Sequence, residues 1–276
     1  MESETERVSK LLENTAHMSP DEREIYLANF KYFPPGASND LVIKTYTEWA
    51  PTYVETLRSG GYTGYVLAAD EVASRVPEDQ RHSLRVLDVA AGVGSVGLEL
   101  SSRGFKLIDA LEPSEGMMKR LETTGVYTKK YLELLGDGAK SVPSDAYDVL
   151  VCSGGMLEGH IPAKGIDDMI RITKPGGLIV IVMRAEFLHQ VEEYKGLERY
   201  FDSLQEKGNW TKLEKTAHMS PDEREIYLAN FPYFPSGSSS ELVFKIYTDW
   251  ASTYVEVSIS LTDLLIKQYI YLINDH

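Results

Sequence analysis

Between residues 85 and 183, short apolar runs alternate with segments whose apolar residues recur every three or four positions. Short apolar runs separated by helical patterns are typical of the buried strands of a parallel sheet. The runs predict five strands at 86–89, 106–111, 131–135, 149–152 and 178–183, and the segments between them predict helices at 95–102, 114–122 and 166–172. This alternation predicts an α/β fold with a doubly wound, mainly parallel sheet covered by helices on both faces.

Helical patterns flank this alternating region on both sides. Before it, Ser19-Pro20-Asp21-Glu22 has the form of a capping box and begins a short helix. Asp40 can cap a second helix that carries aromatic residues at helical spacing, and a third helix is predicted at 64–76. After the alternating region, a long polar helix is predicted at 187–207.

One segment of the chain occurs twice. Residues 15–55 align without a gap on residues 216–256, and 32 of the 41 positions are identical. Solenoid repeats recur several times at short periods, so two copies this far apart indicate a duplicated segment instead. Only twenty residues follow the second copy, and they contain no glycine-rich turn. The second copy therefore cannot build a second binding site of the kind described below.

The second copy begins where a longer α/β domain would place further strands. A sheet that ended at its fifth strand would expose an edge, unless residues 242–245 or the tail covered it. The tail, 257–276, is apolar but is interrupted by Asp263, Lys267 and Gln268. We interpret it as a helix packed on protein rather than as a membrane span. Either the tail compensates for the missing strands, or the fold is damaged.

The composition is that of a globular chain with a strong acidic balance. The formal net charge of -14 would repel a phosphate backbone, so nucleic acid is a disfavoured substrate. Cys152 is the only cysteine, which excludes an intrachain disulfide and a thiolate metal cluster, and no metal site is predicted. The N-terminus is acidic and lacks an apolar run, so we predict no signal peptide and a cytoplasmic location.

The most informative stretch is VLDVAAGVGSVG at 86–97, where a predicted strand ends in a turn of small residues and a helix begins. Backbone N–H groups and the positive helix end face the mouth of a sheet in such a turn. Gly92 and Gly94 can let a ligand approach where a Cβ would collide. Glu112 ends the second predicted strand, where a carboxylate can accept both hydroxyls of a ribose. Together these residues predict an adenosine-containing cofactor.

Two cofactor classes fit this turn. Gly92, Gly94 and Gly97 satisfy the dinucleotide fingerprint G-x-G-x-x-G, which favours a nicotinamide-dependent oxidoreductase that uses NAD(P). Asp88 argues against it, because a carboxylate beside the turn would repel a pyrophosphate and favour the ammonium of an amino acid. Asp137, in the turn Gly136-Asp137-Gly138, is suited to accept from the exocyclic amine of adenine.

The order of these motifs resembles that of class I S-adenosylmethionine-dependent methyltransferases. The motifs are residues 86–94, Glu112, Asp137 and KPGG at 174–177. Three further segments resemble the methyltransferase-like 27 family: YTEWAPTY at 46–53, Gly61-Tyr62 and SGGMLEGHIP at 153–162. The chain departs from the family pattern at Thr47 and Val54, where family members have aspartate, so any polar role of those aspartates is expected to be absent.

The resemblance implies a seven-stranded sheet with S-adenosyl-L-methionine bound at the carboxyl ends of its first strands. It covers residues 40–212, which we predict to be the methyltransferase domain. Residues 1–39 would be an N-terminal helical segment, and residues 213–276 the truncated duplicate with its tail. The methyl acceptor would be a small molecule or a protein, which the family name does not define.

The resemblance also implies roles for individual residues. Asp88 would face the amino group of the cofactor, Glu112 the ribose, Met117 the adenine face, and Asp137 with the Gly138 amide the edge of the adenine ring. The remaining residues of the implied cofactor site are Ala90, Gly92, Gly94 and Ser153, with Tyr46, Trp49 and Tyr53 as part of a helical lid.

Catalysis is harder to predict from the sequence than cofactor binding. A sulfonium methyl is already activated, so displacement by an acceptor nitrogen, oxygen or sulfur needs alignment and exclusion of water, and no strong base need be visible. His160 is a weak candidate for a general base, because it follows the fourth predicted strand near the mouth of the sheet. A non-catalytic cofactor-binding protein is the alternative, since the chain carries a truncated duplicate.

Overall fold

Seven strands form a single sheet in the computed structural model. The structure describes Phe33 and residues 35–54, 63–136, 138–184, 187–217 and 266–273. The strands are β1 (Arg85–Val89), β2 (Leu107–Leu111), β3 (Tyr127–Tyr131), β4 (Tyr147–Ser153), β5 (Thr173–Arg184), β6 (Trp210–Ala217) and β7 (Ile266–Ile273). Their order is β3-β2-β1-β4-β5-β7-β6, and β7 alone runs antiparallel to both of its neighbours. The predicted doubly wound, mainly parallel α/β fold is confirmed.

Helices connect the parallel strands and cover the sheet. They are α1 (Asn39–Trp49), α2 (Gly64–Arg75), α3 (Ser95–Ser102), α4 (Glu115–Glu122), α5 (Gly165–Ile172), α6 (Phe187–Gln190) and α7 (Leu197–Glu206), with a 3₁₀ turn at Glu192–Tyr194. Ser38, not Asp40 as predicted, caps α1, because its hydroxyl accepts from the Leu41 amide at 3.2 Å. Among the described helices, none has the length and apolar character needed to cross a lipid bilayer.

Two predicted elements differ from the structure for local reasons. The third strand begins at Tyr127 rather than Tyr131, because it is an edge strand whose middle residues are exposed and polar. The single helix predicted at 187–207 is instead α6, the 3₁₀ turn and α7. Gly196 precedes α7 with a φ of 97°, a left-handed conformation that a continuous helix cannot contain.

The prediction of a helical tail is wrong. Residues 266–273 form β7, which pairs with β5 from Leu178↔Leu272 to Arg184↔Ile266 and with β6 on its other side. A run of Ile, Tyr and Leu residues has the β-branched and aromatic character that strands favour. The tail therefore covers the edge of β5 as a strand, and the sheet has the seven strands that the family resemblance implies. Residues 242–245 lie outside the described part of the chain.

The first residues of the second copy belong to this sheet. β6 crosses residue 212, where we predict the boundary between the methyltransferase domain and the duplicate, and it ends at Ala217, inside the copy. Residues 218–265, which contain the rest of the copy, thus connect two neighbouring antiparallel strands. The division of the chain into domains stays a prediction.

The core lies on both faces of the central strands. Side chains of β1, β4 and β5 alternate between two apolar clusters: Leu87, Leu150 and Ile179 pack on one face, and Val86, Val149 and Val180 on the other. These strands are buried on both faces, as expected for a parallel sheet between two helical layers. The rigid strands end together at one edge of the sheet, where they position the residues described next.

Candidate functional site

A cavity of about 230 Å³ lies at the carboxyl ends of β1, β2, β4 and β5, and α1 forms one of its walls. Open α/β sheets bind their ligands at this edge. Nine predicted site residues line the cavity: Tyr46, Trp49, Tyr53, Ala90, Gly92, Glu112, Met117, Ser153 and His160. Asp88, Gly94 and Gly138 lie outside its lining, and Asp137 lies outside the described residues.

Glu112 is held at the end of β2 by two backbone amides. Its Oε2 accepts from Gly92 N at 2.9 Å, and its Oε1 accepts from Ser114 N at 2.8 Å. Burial raises the pKa of this carboxyl to about 7, although the two amide hydrogen bonds act in the opposite direction. A carboxylate oxygen has more than one lone pair, so both oxygens can still accept hydrogen bonds from a ligand in the cavity.

Asp88 is fully buried beneath the glycine turn. Its Oδ2 accepts from the Tyr127 hydroxyl at 2.6 Å, whereas its Oδ1 has no partner at hydrogen-bond distance among the described residues, although the Gly97 amide lies near enough to lower the pKa of this carboxyl. Burial raises the pKa of Asp88 to about 7, the Tyr127 hydrogen bond lowers it, and the nearby Glu112 charge raises it. The contact with a cofactor amino group that the family resemblance implies stays a prediction for Asp88.

Tyr127 explains two of the three glycines in the fingerprint. A Cβ on Gly97 would lie 2.3 Å from the Tyr127 hydroxyl, and one on Gly94 would lie 2.9 Å from its ring. The Gly97 amide donates to the same hydroxyl at 3.1 Å. Gly92 differs, because an added Cβ there would meet no protein atom within 4 Å and the residue lines the cavity. Only Gly92 thus has the open environment that we predicted for both Gly92 and Gly94.

The turn around Gly138 is held by a helix rather than open to the cavity. Asp168 of α5 accepts from Gly136 N at 2.8 Å and from Gly138 N at 3.1 Å. The Gly138 amide is therefore already paired with protein. Asp168 was not among the predicted site residues, and no local pattern in the sequence marks it. Residues 133–135, just before this turn, line the cavity.

Helix α1 is fixed over the cavity by contacts at both of its ends. Asn39 Nδ2 donates to the carbonyl oxygens of Gly159 and His160 at 2.7 and 2.8 Å, which ties the start of α1 to the loop after β4. Thr47 Oγ1 lies 2.9 Å from Ser114 Oγ, the cap of α4. Thr47 therefore makes a polar contact of its own, and the expected absence of the aspartates' role stays a prediction.

Two aromatic residues of α1 and one that follows it, Tyr53, form an aromatic cluster on the cavity wall. The ring centroids of Tyr46 and Trp49 are 5.8 Å apart, those of Tyr46 and Tyr53 are 5.9 Å apart, and those of Trp49 and Tyr53 are 4.8 Å apart. The electron-rich faces of such rings attract cations. This cluster has the position that we predicted for a lid and the chemistry to attract a positively charged ligand.

His160 contacts α1 across the cavity. Its Nδ1 lies 2.8 Å from the Glu158 carbonyl oxygen, and its Nε2 lies 3.0 Å from Tyr46 Oη. Burial lowers the pKa of His160 to about 4, so the imidazole is neutral at physiological pH. The sequence showed no partner for this histidine, because Tyr46 is 114 residues away along the chain.

Comparison with known proteins shows the family of this chain. The family described as "Methyltransferase domain" matches residues 87–181. Methyltransferase-like protein 27 of Homo sapiens is 30% identical over 168 residues, which are 61% of this chain and 67% of the human protein. The chain belongs to the methyltransferase-like protein 27 family.

Other relatives match a shorter part of the chain. The demethylmenaquinone methyltransferase of Renibacterium salmoninarum is 34% identical over 107 residues, and the chain spans 42% of that relative.

Two solved structures share the fold. The [4+2]-cyclase SpnF has a TM-score of 0.55 and 16% identity, and the match covers 87% of this chain and 97% of the cyclase. A TehB-like S-adenosylmethionine-dependent methyltransferase from Corynebacterium glutamicum has a TM-score of 0.50 and 11% identity, and the match covers 84% of this chain and 100% of that protein.

Membership of the methyltransferase-like protein 27 family makes this chain a class I methyltransferase and contradicts the oxidoreductase alternative. The structure also gives a physical reason, unrelated to a dinucleotide, for the third glycine of the G-x-G-x-x-G pattern. Gly97 is small because Tyr127 packs on it, and the Gly97 amide at the start of α3 is paired with Tyr127 rather than with a pyrophosphate.

Gly97→Ala is expected to destabilise the protein by about 1–3 kcal/mol, because the new methyl group would collide with Tyr127. Chemical denaturation measures this change. In a Tyr127→Leu background the same substitution is expected to be neutral or stabilising, since alanine favours a helix interior over glycine. An equal loss of stability in both backgrounds would contradict this role of Tyr127.

Proposed function

We propose that the chain transfers a methyl group from S-adenosylmethionine to a small-molecule or protein acceptor bound in this cavity. The observation that carries the proposal is the Glu112 carboxylate, which lines the cavity beside the open position at Gly92. Both carboxylate oxygens can accept from neighbouring hydroxyls, which is the recognition that a ribose requires.

The remaining walls of the cavity fit the other parts of this cofactor. Met117 and Leu135 are buried apolar residues that line the cavity beyond Glu112 and suit an adenine ring. The aromatic cluster of Tyr46, Trp49 and Tyr53 suits a sulfonium, because aromatic faces attract cations. The carboxyl groups of Asp88 and Glu112 add negative potential on the side of β1 and β2, which favours a cationic ligand over a dinucleotide.

When bound, the cofactor supplies a methyl group that is already activated for transfer. The chain's own residues then have two tasks, which are to align the acceptor and to exclude water. The contacts of Asn39 and Thr47 hold α1 across the cavity, so this helix can perform the second task.

The apolar lining supports an apolar acceptor rather than a sugar or a nucleic acid. Met156, Ile161 and Met183 are almost fully buried and line the side of the cavity that β4 and β5 form. Bacterial relatives are named for demethylmenaquinone, itself an apolar compound, but this chain spans 42% of the first of them. We therefore propose the acceptor class from the cavity and not from that name.

Isothermal titration is expected to show binding of S-adenosylmethionine and of S-adenosylhomocysteine at about pH 8, where Glu112 is largely ionised. Glu112→Gln is expected to weaken both affinities about tenfold or more, because hydrogen bonds to a carboxylate are stronger than those to an amide. Wild-type affinity is expected to fall as the pH is lowered towards about 6, since burial raises the pKa of Glu112 to about 7.

Glu122→Gln is the matched control for this titration. Glu122 lies on α4, half-exposed, and pairs with Lys130 at 3.3 Å, away from the cavity lining. Its substitution is expected to leave both affinities unchanged within about twofold. Folded wild-type protein that bound neither compound would overturn the proposed function.

A further inference from the structure

We infer that Tyr46 binds the hydroxyl group of a phenolic methyl acceptor and passes the proton of that hydroxyl on to His160 during methyl transfer. The inference rests on the proposed function and names the substrate class of the same cavity. It starts from the contact of His160 Nε2 with Tyr46 Oη at 3.0 Å on the cavity wall.

The hydrogen bonds of His160 fix which atoms donate. The Glu158 carbonyl oxygen can only accept, so His160 Nδ1 carries the hydrogen at this 2.8 Å contact. A neutral imidazole with a hydrogen on Nδ1 has a lone pair on Nε2. Tyr46 Oη must therefore donate its hydrogen to His160, and towards a third group it can act only as an acceptor.

This arrangement selects a ligand that carries a hydrogen on its nucleophilic atom. A ligand O–H that donates to Tyr46 Oη keeps the oxygen lone pairs that attack the methyl carbon. An ether or ester oxygen in the same place would face another acceptor and gain no hydrogen bond. Tyr46 and His160 together thus favour methyl acceptors that carry an O–H over those that do not.

The surroundings of the pair favour a flat, uncharged acceptor. The Phe33 ring centroid lies 5.3 Å from that of His160 and 5.9 Å from that of Tyr46, so aromatic surface borders the polar contact. Aromatic compounds gain from such edge and offset contacts. An aliphatic amine is disfavoured, because at neutral pH it is a cation that has no free lone pair and would be repelled by a sulfonium. A phenol meets both requirements.

The transfer step balances in atoms and charge. The acceptor oxygen forms a bond to the methyl carbon, the carbon–sulfur bond breaks, and its electron pair stays on sulfur. The acceptor's proton passes to Tyr46 Oη as the Tyr46 proton passes to His160 Nε2. An imidazolium forms while the sulfonium charge disappears, so the cavity carries the same total charge before and after the step. The loss of the sulfonium charge explains how a part-buried histidine, whose described hydrogen bonds are to a carbonyl oxygen and a tyrosine hydroxyl, can receive a proton here. Tyr46 is then the catalytic residue, and His160 is a positioning residue that acts through it.

Binding of two matched probes tests the inference. 2-Naphthol and 2-methoxynaphthalene share a ring system, and only the first has an O–H. Wild-type protein saturated with S-adenosylhomocysteine is expected to bind 2-naphthol about three- to tenfold more tightly, the usual effect of one hydrogen bond. Tyr46→Phe is expected to abolish this preference. His160→Phe is expected to reduce it, because the freed Tyr46 hydroxyl can then donate to the ether oxygen. Tyr200→Phe, which changes a tyrosine of α7 outside the cavity lining, is expected to preserve it.

Methyl transfer to two further probes provides a second readout. Transfer to 2-naphthol is expected to show a kcat about tenfold or more lower in Tyr46→Phe and His160→Phe, with KM less affected. Transfer to 2-naphthalenethiol, which is ionised at about pH 8 and has no proton to lose, is expected to change little. Equal binding of the naphthol and its methyl ether by wild-type protein, or binding of neither, would overturn the inference and leave the proposed function intact. Failure of folded protein to bind S-adenosylhomocysteine would overturn both.

Discussion

Deletion of residues 264–276 is expected to unfold the protein or leave it aggregated, although the described part of this segment, 266–273, is not among the residues that line the cavity. The deletion removes β7, which separates β5 from β6 and pairs with both. β5 is buried along Leu178–Met183 and would become an unpaired apolar edge. Circular dichroism melting and size-exclusion chromatography measure the effect, and a melting temperature within a few degrees of the wild-type value would contradict this prediction.

Replacement of residues 218–265 by Asn-Gly is the matched control. Ala217 pairs with Lys267, so the ends of β6 and β7 are already adjacent and a short hairpin loop can join them. We expect this variant to fold and to bind S-adenosylhomocysteine within about twofold of the full chain. Folding of the full chain but not of the hairpin variant would show that the second copy is needed. Truncation after residue 212 removes β7 together with most of β6 and is expected to resemble the terminal deletion.

Asp88→Asn is expected to stabilise the protein by up to about 4 kcal/mol at about pH 8. Asp88 is buried, and its pKa rises from an ordinary value of 3.8 to about 7 in the folded state. Between these values the folded state binds more protons than the unfolded state, so the free energy of unfolding falls as pH rises through this window. Asparagine avoids the buried charge and can still accept from the Tyr127 hydroxyl. Denaturant titrations between about pH 4 and pH 8 should show that the free energy of unfolding of Asp88→Asn exceeds that of the wild type at pH 8, and that this difference disappears near pH 4.

Asp109→Asn is the control for Asp88→Asn, and we expect it to change the free energy of unfolding in the opposite direction. Asp109 is equally buried, but its oxygens accept from Arg85 at 2.8 Å, from the Tyr147 hydroxyl at 2.7 Å and from Lys129 N at 2.9 Å. Removal of its charge leaves a partly buried guanidinium poorly paired, so this substitution is expected to destabilise the fold by about 1–3 kcal/mol. Destabilisation of the same size in both variants would contradict the distinction between a carboxylate paired with a guanidinium and one hydrogen-bonded to a tyrosine hydroxyl. A gain in stability for Asp88→Asn with weaker cofactor binding would indicate that this charge is kept for function.

The strands of this fold were predictable where burial decides their composition. β1, β2 and β4 begin and end near the ends of apolar runs, since parallel strands buried on both faces contain few polar residues. β5 ends near the end of its run but begins at Thr173, five residues before the predicted start, so the KPGG segment at 174–177 belongs to the strand and not to a turn before it. β3 was predicted at 131–135 instead of Tyr127–Tyr131, because the exposed Lys129 and Lys130 of this edge strand break the apolar pattern. β6 was missed because it runs into the second copy, whose likeness to the first suggested a separate segment.

The site residues that could be predicted are those whose positions follow from the neighbouring sequence. Gly92 and Glu112 follow from their places after two strands, and the carboxyl ends of neighbouring parallel strands meet at one edge. The partners of Asp88 and Gly138 could not be predicted in this way. Tyr127 and Asp168 are 39 and 30 residues away from them along the chain, and only the packing of β3 and α5 brings them close.

The place of the duplicated sequence has a consequence for chain entropy. Residues 218–265 join the adjacent ends of an antiparallel pair, so the two ends of this 48-residue segment are held close together. The entropic cost of closing a flexible loop grows only with the logarithm of its length. Even a fully flexible connection of this length would cost only about 2–3 kcal/mol more than a short hairpin loop. A large insertion at this point therefore changes the free energy of folding about as much as one poorly chosen substitution in the core does.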